Sequence, residues 1–372
     1  MARFPQICDN PFRHYSNCCH EKFPGRKICQ AFFKKICASG QGPERWLGRK
    51  PSGLRPGRGT KFNRKREGVV VLPSCVSHFL LGRQVLENLP DGLRDEMDRD
   101  AYFWGVQGPD FLFCHQIFPW MKKPSISEYG TKFHSMNPDT MLSAVQGLLH
   151  AHPENKLLHS YVLGFLCHYA LDSVGHPLVN TLAKKMALED PVQTQETMHA
   201  EIESALDVIL LRKFTGKLPT QVKLHRFFPK SPAVQQEIAE LYHQLIEQLF
   251  QEIVTVEQLL QSTRDAQLVF RLLTDSSTMK RRILERLERN KPHVLSSHIL
   301  PLVEKEDVDY ANLQALPWIG QDGVESTDHF FDRFQQAKQL AETLILNFDH
   351  CALSSITKKT AMNGVRYVND RD

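Results

Sequence analysis

The 372-residue chain has no long hydrophobic run: no stretch of about eighteen apolar residues, the length that a membrane-spanning helix needs, occurs in it. Its first residues lack the continuous apolar segment of a secretory signal peptide. The nine cysteines contain no C-x-x-C pair and indicate neither a disulfide framework nor a zinc ribbon. Convincing strand patterns and internal repeats are also missing. These absences favour an all-α protein of the reducing cytoplasm.

Charge is distributed unevenly along the chain. Residues 1–72 hold 16 Lys and Arg against 4 Asp and Glu, whereas residues 73–372 hold 30 against 38. The net charge of +4 therefore combines a basic segment of +12 with a mildly acidic remainder of −8. An acidic globular part argues against nucleic-acid binding by bulk charge. The hydrophobic fraction of 41% supports a sizeable core.

Residues 1–72 also differ in composition, being rich in glycine and proline, holding five of the nine cysteines and showing no periodicity. Such a basic segment is typical of disorder. Three interpretations are open: a basic tail for nucleic acid or an anionic membrane, a small cysteine-based metal module, and a leader upstream of the true start. We favour the leader, because residues 66–68 fit a purine-rich ribosome-binding sequence and Val71 or Leu72 fits an alternative start codon.

The segment 161–177, YVLGFLCHYALDSVGHP, is apolar enough to form a buried helix, yet three ionisable residues recur in it at four-residue intervals. His168, Asp172 and His176 therefore share one helix face. Buried ionisable groups need partners, because desolvation without one is costly. A bound metal ion would satisfy all three. The alternative is a set of core histidines hydrogen-bonded to backbone carbonyls.

A second pair of metal-binding type lies in the predicted helix 195–214. His199 and Glu203 are again four residues apart, so their side chains project from one face. Taken alone, a His/Glu pair on a helix is more often only a weak surface hydrogen bond than a pair of metal ligands. The pair gains meaning only beside the three residues of the earlier helix.

Three more candidates precede these two helices. His78 stands at the beginning of an apolar helical segment, Asp110 follows a Gly-Pro break between aromatic residues, and His134 lies in a short polar-aromatic stretch. A loop carboxylate with apolar neighbours favours a specific partner, although a turn-stabilising aspartate fits the same pattern. Neither histidine is informative alone.

The rest of the chain predicts further helices at about 232–261, 264–290 and 327–347. Their charged residues fit solvated faces, and no catalytic pattern is found in residues 215–372. The fold class is therefore predicted to be all-α, with a metal-binding core in residues 73–214 and additional C-terminal helices in residues 215–372.

The candidate metal ligands occur in an order along the chain that matches a known family. They are His78, Asp110, His134, His168, Asp172, His176, His199 and Glu203. This order, with H-x-x-x-D, then H, then H-x-x-x-E, resembles the zinc-dependent phospholipase C family and, more distantly, the fungal single-strand-specific zinc nucleases. The likeness covers about residues 73–203. It implies an all-α, phospholipase C-like fold that binds up to three zinc ions.

The resemblance also implies which residues bind each ion. The first zinc would be held by Asp110, His134, His168 and Asp172, and the carboxylate of Asp110 is in addition the candidate catalytic base. Asp172 would bridge this ion to a second one. Imidazoles and carboxylates are good zinc ligands, and clustered zinc ions clamp a phosphate while activating a bound water.

The second zinc would be bound by His78 and, in the family, by the α-amino group and carbonyl of an N-terminal tryptophan. This chain has no such tryptophan. In the nuclease branch the N-terminal residue stands five before its histidine, and Pro73 stands five before His78. We therefore predict that Pro73 is this ligand, if the leader interpretation holds and the chain that binds metal begins there.

The third zinc would be bound by His176, His199 and Glu203. Here the sequence departs from the family, since His176 follows Asp172 by four residues instead of the six usual in secreted members. His176 is therefore the ligand that the resemblance supports least directly.

The function implied is hydrolysis of a phosphodiester by a metal-activated water, as in phospholipases C. The expected partner is a phospholipid or a small phosphodiester, with possible peripheral membrane contact, and nucleic acid is less favoured. One alternative is a single-strand nuclease or nucleotidase. In either case cleft aromatics would bind an acyl chain or a base, and the candidates are Phe103, Trp104, Phe111, Phe113 and Trp120. Another alternative is a non-catalytic helical interaction protein with a structural zinc cluster.

Overall fold

Helices dominate the computed structural model, which describes residues 74–118, 121, 124–321, 323–348, 350, 353–357 and 359–367. Residues 1–72, Pro73 and Trp120 carry predictions and lie outside the described residues. The α-helices in chain order are α1 (Val76–Asn88), α2 (Asp91–Glu96), α3 (Arg99–Val106), α4 (Glu128–His134), α5 (Pro138–Ala151), α6 (Lys156–Glu189), α7 (Gln195–Thr215), α8 (Pro232–Phe250), α9 (Val256–Leu273), α10 (Met279–Leu287) and α11 (Phe330–Leu346).

The remaining regular structure is short. The 3-10 segments are Gly108–Cys114, Pro219–Gln221, Leu224–Phe227, Ser296–His298 and Leu353–Ser355. Strands β1 (Trp318–Ile319) and β2 (Glu325–Ser326) pair antiparallel and are the small exception to the prediction that strands are absent. The all-α class is confirmed. No helix in the described part of the chain is long and apolar enough to cross a membrane.

Helix α6 forms the middle of the fold. Asn155 caps its start by accepting a hydrogen bond from the Leu158 amide. Most residues of its first two thirds are buried, which is the behaviour of a helix that is apolar on every side. Helices α1, α3, α7 and α11 all contact it. The ionisable residues of α6 are consequently surrounded by protein, and several neighbouring helices can supply them with partners.

Two glycines bring α3 and α6 into direct backbone contact. A Cβ atom built on Gly105 would overlap the Tyr161 carbonyl oxygen, and one built on Gly164 would overlap the Tyr102 carbonyl oxygen. Only glycine leaves room for this crossing. Because α3 leads directly into the 3-10 segment Gly108–Cys114, the crossing fixes that segment beside the buried part of α6.

The predicted helix 232–261 is wrong in its extent, because it is two helices. Helix α8 ends at Phe250, and Gln251 takes the left-handed conformation with φ 56°. Thr255 then begins α9 through a capping box with Gln258. Both helices keep an apolar face toward the core, so the hydrophobic periodicity continues across a break made by local backbone chemistry.

The other two C-terminal predictions need similar corrections. The predicted helix 264–290 divides into the end of α9 and the separate α10, because Asp275 accepts the amides of Ser277 and Arg281 in the intervening turn. The predicted helix 327–347 begins only after His329, whose ring caps α11. The described helices on both sides of residue 215 belong to one compact unit. The predicted division into 73–214 and 215–372 stays a prediction.

Candidate metal centre

The structure brings all eight described candidates to one place. They are His78 of α1, Asp110 of the 3-10 segment, His134 at the end of α4, His168, Asp172 and His176 of α6, and His199 and Glu203 of α7. All except His168 line an open cleft with a cavity volume of about 230 Å³, and His168 is fully buried. Five elements from different parts of the chain therefore meet at this site.

Asp172 stands at the centre of the cluster. Its Oδ1 is 3.3 Å from His78 Nε2 and 3.8 Å from His176 Nε2. Its Oδ2 is 3.3 Å from His134 Nε2 and 3.2 Å from His168 Nε2. Each carboxylate oxygen thus faces two imidazoles on opposite sides. This arrangement suits a carboxylate that bridges two metal ions.

Asp110 completes the first group of candidate ligands. Its Oδ1 lies 3.0 Å from His134 Nε2 and 3.9 Å from His168 Nε2. Gly108, two residues earlier, has φ +53°, and a Cβ atom on it would overlap the His168 ring. The left-handed glycine therefore lets the backbone pass close to the imidazole and turns Asp110 toward it.

The third group lies on the side of Asp172 that faces α7. Glu203 Oε1 is 3.3 Å from His176 Nε2 and 3.1 Å from His199 Nε2. The four-residue spacing from Asp172 places His176 one turn further along α6, where it reaches both carboxylates. His176, His199 and Glu203 are close enough together to hold one ion.

Some of these short distances are not hydrogen bonds. His168 Nε2 and Asp172 Oδ2 are 3.2 Å apart, yet neither atom has a hydrogen-bond partner among the described residues. Buried polar atoms are almost always partnered, because leaving one unpaired costs about 1–3 kcal/mol. A cation between these atoms would partner both. The donor set of imidazoles and carboxylates is the one that zinc prefers, so the residues fit the metal that the resemblance implies.

Hydrogen bonds also fix which imidazole nitrogen faces the cluster. His134, His176 and His199 each donate from Nδ1–H to a carbonyl oxygen. The acceptors are Gly130 O at 2.7 Å from His134, Met362 O beside His176, and Asn180 Oδ1 at 3.0 Å from His199. A carbonyl oxygen can only accept, so in the neutral ring Nδ1 carries the proton. Nε2, which faces the carboxylates, is then free to bind a metal ion.

The charges of the cluster shift the pKa values of its members strongly. Burial alone would raise the pKa of Asp172, but His176 and His168 outweigh burial and hold that pKa well below its usual range. Burial would lower the pKa of His134, but the adjacent carboxylates of Asp110 and Asp172 outweigh burial and raise it to about 10. The Asp172 carboxylate therefore stays ionised, and its negative charge attracts cations.

Sequence reasoning missed several residues of the cleft, among them Thr131, Asn180 and Asn363. Asn180 had a detectable signal, because it continues the four-residue spacing of His168, Asp172 and His176 by one more turn. Asn363 had none, since it lies far along the chain in a segment without periodicity.

Most of the predicted cleft aromatics are placed elsewhere. Trp104 and Phe111 are fully buried in the core, where the Trp104 indole donates to Pro229 O. Phe103 packs against Phe79 and does not line the cleft. Phe113 alone of the described candidates lines it, with its ring 5.2 Å from that of His134. The aromatic residues near Asp110 therefore serve mainly to pack the core, and the prediction that they line the cleft is wrong for Phe103, Trp104 and Phe111.

Comparison with known proteins adds one finding. A protein-family model described as zinc-dependent phospholipase C matches residues 77–252. The matched segment contains all eight candidate ligands that the structure describes. No curated protein and no solved structure gives a significant match to the chain.

Proposed function

Residues 77–252 belong to the zinc-dependent phospholipase C family, and from this premise we propose that the protein is a zinc-dependent phosphodiester hydrolase of the phospholipase C type. The observation that carries the proposal is the geometry around Asp172. Asp172 Oδ2 and both ring nitrogens of the buried His168 lack hydrogen bonds among the described residues, and the Asp172 carboxylate faces further imidazoles at 3.3–3.8 Å. We propose that the eight side chains hold up to three zinc ions.

An open cleft favours catalysis over a purely structural role. Structural zinc sites are closed, with protein ligands on all sides. Seven of the eight candidates here line a cleft that opens to solvent, so a substrate phosphate can reach them. This observation ranks the hydrolase above the non-catalytic interaction protein.

The chain's own residues support a hydrolytic step. Zinc bound at such a site supplies Lewis-acid activation of phosphate and a more acidic water. His134 orients the carboxylate of Asp110 toward the cleft, and Asp110 accepts the proton of the attacking water. The water oxygen bonds to phosphorus as the phosphorus–oxygen bond to the alcohol breaks, and the departing alkoxide takes a proton from solvent.

The substrate we propose is a phospholipid or a small phosphodiester. The cleft is open and has a cavity volume of about 230 Å³, enough to admit a phosphate group. The mildly acidic globular part disfavours a long polyanion. A lipid would be reached by peripheral contact with a membrane surface.

Metal content and turnover on one sample test this proposal. We expect the full chain to bind zinc, by elemental mass spectrometry, and to hydrolyse a chromogenic phosphodiester in a chelator-sensitive way. Asp110→Asn should lower kcat by at least about 100-fold, the usual minimum for loss of a general base. Asp265→Asn is the matched control, since Asp265 is equally buried but its carboxylate binds the Gln116 amide outside the cluster. A wild-type chain without zinc would refute the proposal, and zinc without turnover would favour the structural alternative.

The prediction for Pro73 needs a second chain. A protein that begins at Pro73 should bind one more zinc ion, or bind its weakest zinc more tightly, than the chain that retains residues 1–72. Equal stoichiometry and affinity in both chains would exclude a terminal amine as ligand and leave the other eight assignments intact.

A further inference from the structure

The last part of the described chain folds back onto the metal centre as a hairpin. In this C-terminal hairpin (residues 359–367), Ala361 O and Val365 O accept amides from across the turn and Thr360 pairs with Arg366. Gly364 supplies the turn with φ +80°. The hairpin lies more than 100 residues beyond the segment that matches the family, which ends at residue 252.

The hairpin contacts the backbones and rings of the predicted zinc ligands. Met362 O accepts the Nδ1–H of His176, and the Asn363 amide donates to His134 O at 2.9 Å. Asn180 connects the hairpin to a third ligand: its Nδ2 donates to Asn363 O at 2.9 Å and its Oδ1 accepts from His199. Asn363 also lines the cleft.

These contacts depend on close packing. Met362 is only 1% exposed, and the Tyr169 hydroxyl donates to Thr360 O at 3.0 Å. A Cβ atom on Gly364 would lie 3.0 Å from Pro177 N and 3.1 Å from His176 Cβ, tighter than ordinary contact. The hairpin is therefore seated against the turn of α6 that carries His176.

We propose that the C-terminal hairpin is a positioning element for the third metal site. The hairpin accepts a hydrogen bond from His176 Nδ1–H directly, and it orients Asn180, which accepts one from His199 Nδ1–H. These bonds keep the proton on Nδ1 in both neutral rings and leave Nε2, the nitrogen beside Glu203, free to bind a metal ion. Partners of this kind are worth about 10–100-fold in metal affinity. This inference depends on one part of the proposed function, namely that the site binds zinc.

Two glycine substitutions test the inference on the full chain. Gly364→Ala places a methyl group against His176, whereas Gly323→Ala is the matched control, with a similar φ of +74° and no heavy atom of the described residues within 4 Å. We expect Gly364→Ala to bind one of its zinc ions about 10–100-fold less tightly in a chelator competition. Gly323→Ala should match wild type.

Two substitutions of Asn180 test the route to His199 without touching the hairpin turn. Asn180→Asp keeps an oxygen that accepts a hydrogen bond from His199 but loses the amide that donates to Asn363 O, whereas Asn180→Leu loses both groups. We expect one zinc ion to bind less tightly in Asn180→Asp than in wild type, and less tightly still, by about 10-fold or more relative to wild type, in Asn180→Leu. This graded loss separates positioning from a general packing effect and serves also if Gly364→Ala does not fold.

The outcomes separate this inference from the proposed function. If wild type binds no zinc, the proposed function fails. If wild type binds zinc and both Gly364→Ala and Asn180→Leu bind it with wild-type stoichiometry and affinity, only the positioning role is refuted. Equal loss in Asn180→Asp and Asn180→Leu would also refute it, because the acceptor oxygen would then be irrelevant.

Discussion

Asp207 holds the beginning of α1, the helix that carries His78. It is 1% exposed and accepts the Ser77 amide at 2.7 Å and the Val76 amide at 3.1 Å. The hydroxyls of Ser77 and Ser74 donate to it at 2.5 and 2.6 Å. One buried carboxylate from α7 thus supplies the cap that the first turn of α1 needs.

The cost of removing this carboxylate follows from the donors it leaves behind. Asp207→Ala strands the Ser77 and Val76 amides, its two closest buried amide partners, and each unpaired donor costs about 1–3 kcal/mol. We therefore expect a loss of about 2–6 kcal/mol in the free energy of unfolding. Asp207→Asn keeps one acceptor oxygen and should lie near the lower end of that range. Since His78 is in the same turn, zinc affinity should fall as well.

Urea unfolding of the zinc-free chain measures the first effect, and chelator competition measures the second. Asp309→Ala is the matched control, because Asp309 also accepts two amides, those of Leu313 and Gln314, but at exposed positions that water can reach. We expect it to cost less than about 1 kcal/mol, as is usual for surface substitutions. Equal destabilisation by the two variants, or less than about 1 kcal/mol for Asp207→Ala, would refute this reasoning.

Three further perturbations have defined outcomes. Gly105→Ala forces a methyl group into the Tyr161 carbonyl and should lower the free energy of unfolding, measured in urea, by about 3 kcal/mol. Gly147→Ala, in an open position of α5, should raise it by about 0.5–1 kcal/mol. Similar values for both variants would contradict the close crossing of α3 and α6. Burial would raise the pKa of Glu201, but the charge of Arg281 outweighs burial and lowers that pKa. The ionised carboxylate therefore stabilises the fold above the ordinary Glu pKa of about 4.5, and this stability is lost as the pH falls through the lowered pKa. In Glu201→Gln the urea midpoint should accordingly depend less on pH in this acid range. At a free zinc concentration 1,000 times Kd, each bound ion should raise the free energy of unfolding by about 4 kcal/mol, and a chelator should remove this stabilisation. An unchanged melting temperature in chelator would show that no metal supports the fold.

The part of the site that a local repeat encodes could be predicted from the sequence. His168, Asp172 and His176 share a face because of helix geometry alone, and the same rule joins His199 to Glu203. No such rule predicts that these two groups lie close to His78, Asp110 and His134. The prediction that they do so came from the order of residues in a known family. In the structure, the crossing of α3 and α6 at Gly105 and Gly164 is what places Asp110 beside α6.

What the sequence could not provide lies where backbone chemistry overrides periodicity. The break between α8 and α9 depends on a left-handed Gln251 and a Thr255 cap, neither of which interrupts the hydrophobic pattern. The C-terminal hairpin is a stronger case. Residues 215–372 were predicted to carry no chemistry, yet Met362 contacts His176 through a main-chain carbonyl, a group that no side-chain pattern reveals.

The cluster also ties metal binding to the folding of the whole described unit. Its side chains and their hydrogen-bond partners extend from His78 to Asn363, so no single helix or short segment can hold the ions. Asp110 and Asp172 are buried and Glu203 is half-buried, and each lies beside imidazoles, so its charge is balanced either by a protonated ring or by a bound cation. Each zinc ion bound to the native state therefore stabilises contacts among α1, α4, α6, α7 and the hairpin together. Zinc loading should accordingly raise the stability of α1 and of the hairpin by similar amounts in hydrogen exchange, although 285 residues separate His78 from Asn363.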